Sequence, residues 1–164
     1  MAETEAHPVL KPLIGSDEAT FDGKNRLLFS RQKRERLGDT FAVALCETGS
    51  LACYPLQVWE RMWAELSAYS PLDMAPRRYE ELLFNHADDE VKFDPQNRAV
   101  ISKALREIGK LKDRVLIIGR GHRAELWDPD ERAAYLADQE KYEQRRREEF
   151  ERASMQVLEK WSRR

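Results

Sequence analysis

Apolar residues at Val58, Trp59, Met62, Trp63 and Leu66 recur every three or four positions, the spacing that places them on one side of an α-helix. Ser70-Pro71 ends that helix, and Pro76 precedes a second one over residues 77–84, with Tyr79, Leu82 and Leu83 on one side. Two continuous apolar runs, 41–45 and 115–118, have the length of strands. Each leads into a glycine-bearing turn, Thr48-Gly49-Ser50 or Gly119-Arg120-Gly121, and then to an aromatic, Tyr54 or Trp127. Beyond Trp127, Pro129 opens a long charged stretch. Its apolar residues, Leu136, Tyr142, Phe150, Val157, Leu158 and Trp161, are too sparse for a heptad seam. That stretch reads as a solvated helix or as a helix docked on a neighbouring subunit.

The two halves repeat. Residues 21–35, FDGKNRLLFSRQKRE, align with residues 93–107, FDPQNRAVISKALRE, with seven identities in fifteen positions. In both, Asp opens a turn, Gly or Pro follows, and Asn25 or Asn97 supplies the residue that best tolerates a left-handed backbone. Phe21 with 27–29, and Phe93 with 99–101, read as the arms of a hairpin around each turn. Ser30 and Ser102 stand where N-caps would start the short helices Arg31–Leu37 and Lys103–Ile108. Each copy is thus strand, turn, strand, short helix, hairpin.

Candidate chemistry is sparse. His7, His86 and His122 are isolated and none has a metal-ligand spacing. Asp88-Asp89-Glu90 reads as a solvated loop, and Gly119-Arg120-Gly121-His122 as a hairpin turn rather than a phosphate loop. Cys46 and Cys53 would face each other if Gly49-Ser50 were a two-residue turn; they read as buried thiols or a cross-strand disulfide. No set of titratable groups converges, so no enzyme, cofactor or metal is expected. No apolar run approaches the length of a membrane helix, and the first 20 residues lack the apolar core of a secretory signal.

Charge changes this picture. The 164 residues carry 28 Lys plus Arg against 30 Asp plus Glu, a net of −2 that argues against a nucleic-acid partner. The distribution reverses the inference. From Asp22 to Arg36 six basic residues face two acidic ones, a net of +4; from Asp94 to Arg114 six face three, a net of +3. Positive charge therefore sits on the repeated unit. A two-stranded ribbon fits the major groove, and Arg reads guanine there. Alternatively, Arg26 and Arg98 pair with Asp22 and Asp94 across their own turns.

Several landmarks resemble the MraZ family of bacterial transcriptional regulators, built from two SpoVT/AbrB-like modules. They are the twice-repeated D-x-x-x-R at Asp22/Arg26 and Asp94/Arg98, the segment Tyr54-Pro55 followed by Trp59-Glu60, and Val115–Gly119 followed by Ala124-Glu125-Leu126-Trp127-Asp128. Asn25 and Asn97 replace the usual Gly, and Ser30 and Ser102 the usual Pro. The resemblance implies an α+β, mainly β fold of two tandem swapped-hairpin β-barrel modules with linking helices and a C-terminal helix. Its boundaries would be an N-terminal extension 1–13, modules 14–60 and 87–130, linker helices 61–86 and a tail 131–164. It implies a ring, octameric in form, that represses the division and cell-wall gene cluster from repeated promoter boxes, in the cytoplasm at the nucleoid. Lys24, Arg31, Lys33, Arg34, Lys103 and Arg106 would contact DNA, while Arg26 and Arg98 would read bases. AbrB-like folds also serve as antitoxins, so the tail could instead hold a protein partner.

Overall fold

Serine hydroxyls start both short helices. In the computed structural model, which describes residues 10–137 and 142–163, Ser30 Oγ accepts the Lys33 N–H at 3.3 Å and Ser102 Oγ the Leu105 N–H at 3.2 Å. The first copy runs β1 (Ser16–Thr20), β2 (Arg26–Leu28), α1 (Arg31–Leu37), β3 (Thr40–Leu45) and β4 (Leu51–Pro55). Helices α2 (Leu56–Ser67) and α3 (Met74–Asn85) follow. The second copy is β5 (Asp88–Lys92), β6 (Arg98–Val100), α4 (Lys103–Ile108), β7 (Arg114–Gly119) and β8 (Ala124–Trp127). Helix α3 begins before Pro76 rather than after it, because the first turn of a helix leaves its N–H groups unbonded and loses nothing to proline.

The copies interleave. Six strands form one antiparallel sheet in the order β1-β7-β8-β4-β3-β5, and β2 pairs with β6 in a separate two-stranded ribbon. Among the strand pairs of the described residues, β3–β4 and β7–β8 stay within a copy, while β1–β7, β3–β5, β4–β8 and β2–β6 cross between copies. Three sequence expectations change here. The arms around each Asp turn do not extend into a local hairpin: Asp22 N–H meets Arg26 O at 3.0 Å and Asp94 N–H meets Arg98 O at 2.8 Å, a bridge between Phe93 and Ala99 follows in the second copy, and β2 and β6 then pair with each other. The sheet also does not close into a barrel among the described residues: β1 and β5 are its edges, and β2 and β6 pair with each other rather than bridge them. Asp88, Asp89 and Glu90, expected in a loop, lie in β5, whose main chain pairs with β3 while Asp89 and Glu90 stay exposed.

One sheet face packs against the ribbon and the short helices. Phe29, Phe41 and Phe93 meet there at centroid distances of 5.8, 5.2 and 4.8 Å, joining both copies in one aromatic cluster. The other face is covered by α2 and α3, where Trp59 lies tilted against Tyr54 at 5.8 Å and Phe84 meets Trp59 edge to face at 5.2 Å. The β3–β4 turn is longer than the sequence suggested. Cys46 faces Ser50 across it and Cys53 faces Val43, so the two cysteines are not opposite each other; both are buried free thiols. The β7–β8 hairpin turns on Gly121 and His122, as expected.

The described residues after Pro129, 130–137 and 142–163, belong to a second compact unit, with the helices α5 (Pro129–Ala137) and α6 (Tyr142–Ser162). Pro129 takes the first helical position of α5, and Asp130 and Glu131 complement the dipole there. Residues 1–9 of the expected N-terminal extension, with His7, and residues 138–141 and 164 of the tail lie outside the described residues. Among the described residues no helix is long and apolar enough to cross a membrane.

Gly119 lies where the chain ahead of β1 crosses β7: a Cβ there would stand 2.4–2.6 Å from the backbone of Ile14. Gly119→Ala is expected to lower the unfolding free energy by about 2–3 kcal/mol. Gly23→Ala, with open space around its Cβ position, should leave thermal unfolding nearly unchanged. Parallel thermal melts of the two variants check this.

Candidate nucleic-acid interface

The two Asp turns are built alike. Asp22 Oδ1 accepts the main-chain N–H groups of Lys24 at 2.9 Å and Arg26 at 3.0 Å, and Oδ2 accepts Arg26 Nε–H at 2.6 Å. Asp94 receives Gln96 N–H and Arg98 N–H, each at 2.9 Å, and Arg98 Nε–H at 2.8 Å. Asn25 and Asn97 hold the left-handed backbone this geometry needs, with φ of 58° and 63°. The Arg26 N–H, helped by the Lys24 N–H and the Arg26 guanidinium, lowers the Asp22 carboxyl to about 2. Asp94 moves in the same direction, chiefly through the Arg98 N–H. Arg26 and Arg98 therefore do pair across their own turns. The pairing runs through Nε, so the Nη groups lie outside these bonds.

Each turn is also clasped by the other copy. Phe29 N–H donates to Asn97 O and Ile101 N–H to Asn25 O, both at 3.0 Å. Arg106 lies 3.8 Å over the Phe21 ring and donates to Asn25 Oδ1 at 2.6 Å; Arg34, its counterpart, lies 5.5 Å over Phe93 and donates to Asp39 at 2.7 Å. These contacts bring both turns to the ends of the β2–β6 ribbon.

The sequence-derived residues thus separate. Lys24, Arg31 and Lys103 are exposed; Arg26 and Arg98 are half-buried, with their stems in the turns. Arg31 also donates to Glu35 at 3.0 Å. Arg34 and Arg106 are half-buried and serve as clasps. Lys33 differs most from expectation. It is 1% exposed, and its ammonium pairs with Asp17. On α1 it shares the inward side with Leu37, one turn on, and its counterpart in the second copy is Leu105. In this chain Lys33 is a buried lysine whose partner, Asp17, is partly exposed at the surface.

A buried ionic cluster went unread in the sequence. Arg123 donates to Glu125 at 2.6 and 3.0 Å, to Glu47 at 2.6 and 3.1 Å and to the Tyr54 hydroxyl at 3.3 Å, and Trp127 Nε1–H donates to Glu125 at 2.9 Å. The bonds from Arg123 hold the Glu47 carboxyl below its usual range, while burial pushes the Tyr54 phenol up. The signal was available: Arg123, at the entry to β8, and Glu125 within it alternate with the core residues Ala124 and Leu126, which places both on the side opposite those two.

Two interleaved copies, each with an Asp-buckled Arg beside a shared ribbon, define a duplicated α+β class with approximate two-fold symmetry. Residues 83–155 match the family model described as "MraZ protein, putative antitoxin-like". The transcriptional regulator MraZ of Halorhodospira halophila is 35% identical over 119 residues, covering 70% of this chain and 78% of that protein. Those of Alkalilimnicola ehrlichii and Leuconostoc mesenteroides are each 31% identical, over 121 and 125 residues, covering 71% and 76% of this chain and 80% and 87% of theirs. The chain belongs to the MraZ family.

Because the folded Asp22 carboxyl titrates below its unfolded value of 3.8, its contribution is fully present above about pH 4 and is lost as pH falls toward about 2. Asp22→Asn is expected to flatten the acid limb of stability in that window, as followed by denaturant melts across pH. In the buried cluster, Glu125→Ala removes two of the hydrogen bonds of Arg123 while Glu47 remains its partner, and should cost about 2–3 kcal/mol. Glu47→Gln, at a 57% exposed side chain, should cost under about 1 kcal/mol in the same melts.

Proposed function

We propose that this chain is a sequence-specific DNA-binding transcriptional regulator that places the β2–β6 ribbon in the major groove. The observation that carries this reading is the ribbon's outward face. Two guanidinium groups stand there, each anchored by its own Asp, beside exposed Lys24, Arg31 and Lys103. A buckled Arg is preorganised, so little side-chain freedom is lost when it meets guanine O6 and N7. Lys24, Arg31 and Lys103 neutralise phosphates and set the register. Curated relatives are named transcriptional regulators.

In this reading residues 14–60 and 87–130 are SpoVT/AbrB-like modules that exchange hairpins, which accounts for strand pairing between copies. The chain assembles into an octameric ring, supported by Trp63, Leu72, Met74 and Leu82, which α2, α3 and the link between them leave exposed. A ring presents many ribbons to repeated promoter boxes, so modest contacts add through effective concentration. It represses the division and cell-wall genes from the cytoplasmic nucleoid. A second reading, an antitoxin-like module that grips a protein partner through its tail, draws on Met155, Val157 and Leu158, all more than half exposed on α6.

Arg26→Ala combined with Arg98→Ala is expected to weaken binding to the protein's own upstream region by at least about tenfold in a gel shift. Undiminished binding by the folded double variant would overturn the base-reading assignment. Lys24→Ala should flatten the dependence of log affinity on log salt by about one phosphate's worth. Deleting 138–164 separates the second reading: retained DNA binding with a lost co-purifying partner favours it.

A further inference from the structure

The outward face of the ribbon mixes charge with apolar surface in a pattern phosphate contacts do not require. In the β2–β6 pair Arg26 stands opposite Val100 and Leu28 opposite Arg98. Leu27 and Ala99 are buried in the core, so Arg26, Leu28, Arg98 and Val100 share the other face. Leu28 and Val100 are each 54% exposed, at equivalent positions of the two copies. Leu28 lies between two inward-facing residues, Leu27 and Phe29, and Val100 between Ala99 and Ile101, so neither can turn inward without breaking the alternation.

The partner that covers this face must carry negative charge at its rim and small apolar groups at its floor. The major groove of duplex DNA has both, because the thymine C5-methyl projects there beside the acceptors that guanidinium groups read. The spacing agrees. Leu28 and Val100 are diagonal neighbours across the pair, which sets them about 7–8 Å apart. Two base-pair steps of about 3.4 Å give nearly the same length.

We propose that Leu28 and Val100 contact thymine C5-methyl groups in the major groove and so set base preference beside Arg26 and Arg98. The inference rests on the DNA reading above. It makes the ribbon a two-component reader, in which the arginines select guanine and the aliphatic tips select the methylated pyrimidine.

The test removes the methyl groups from the DNA. The protein's own upstream region is amplified once with dTTP and once with dUTP, giving duplexes that differ only in the C5-methyl. Binding of the full chain to each is measured at one salt concentration. Wild type is expected to bind the uracil duplex about tenfold more weakly, the loss of two buried methyl contacts. The double variant Leu28→Ala with Val100→Ala should bind the thymine duplex more weakly and lose the distinction between the two. Equal binding of both duplexes by wild type overturns the proposal. So does a thymine preference that persists in the double variant, since it would then arise from duplex shape. A double variant with altered sedimentation and an unchanged thymine preference would make Leu28 and Val100 a contact between copies instead. Failure of wild type to bind either duplex would overturn the DNA reading itself, and this inference with it.

Discussion

The exchange of main-chain hydrogen bonds between the two Asp turns holds the site together. Phe29 N–H reaches Asn97 O, and Ile101 N–H reaches Asn25 O, so each turn completes the other copy's strand. The left-handed residues at 25 and 97 aim those carbonyls outward from their own copy. Asp22 and Asp94 hold the turns in that shape, and Arg106 and Arg34 press the opposite copy's phenylalanines into place. Without the exchange, β2 and β6 would be three-residue strands with no partner, and Arg26 and Arg98 would have no common face.

The symmetry is a property of the scaffold, and the departures from it are local. Lys33 stands where the second copy has Leu105, and it needs Asp17 to be tolerated in the core. Arg123, just ahead of β8, and Glu125 within it form a buried pair, while the first copy has Ser50 just ahead of β4 and Ala52 within it. Buried charges of this kind contribute little net stability, but they penalise any arrangement that separates them. The second copy's final strand therefore has a specified partner in the Glu47 turn of the first.

What was legible in the sequence follows from the range of the interactions. Ser30 and Ser102 cap helices whose limits could be read beforehand, because a cap is decided within four residues. The left-handed Asn25 and Asn97 were readable for the same reason. The pairing of β2 with β6 was not, since a lone turn flanked by apolar residues looks the same whether its arms meet each other or a distant strand. Lys33 shows a second limit. On a helix of two turns, seven residues do not fix which side faces inward, so a lysine on the buried side was read with its exposed neighbours. The length of the β3–β4 turn likewise decided where Cys46 and Cys53 fall.

The interleaving also bears on how the chain reaches its native state. β1 waits for β7: Glu18 and Arg114, joined by an ion pair, lie 96 residues apart along the chain. Closure of so long a loop precedes any reward from the contacts it enables, and topologies rich in such contacts fold slowly. During synthesis the first copy emerges with β1 and β2 unpaired, and they stay so until most of the second copy has followed. Its folding is then less a matter of two domains forming in turn than of one half being held open as a template for the other.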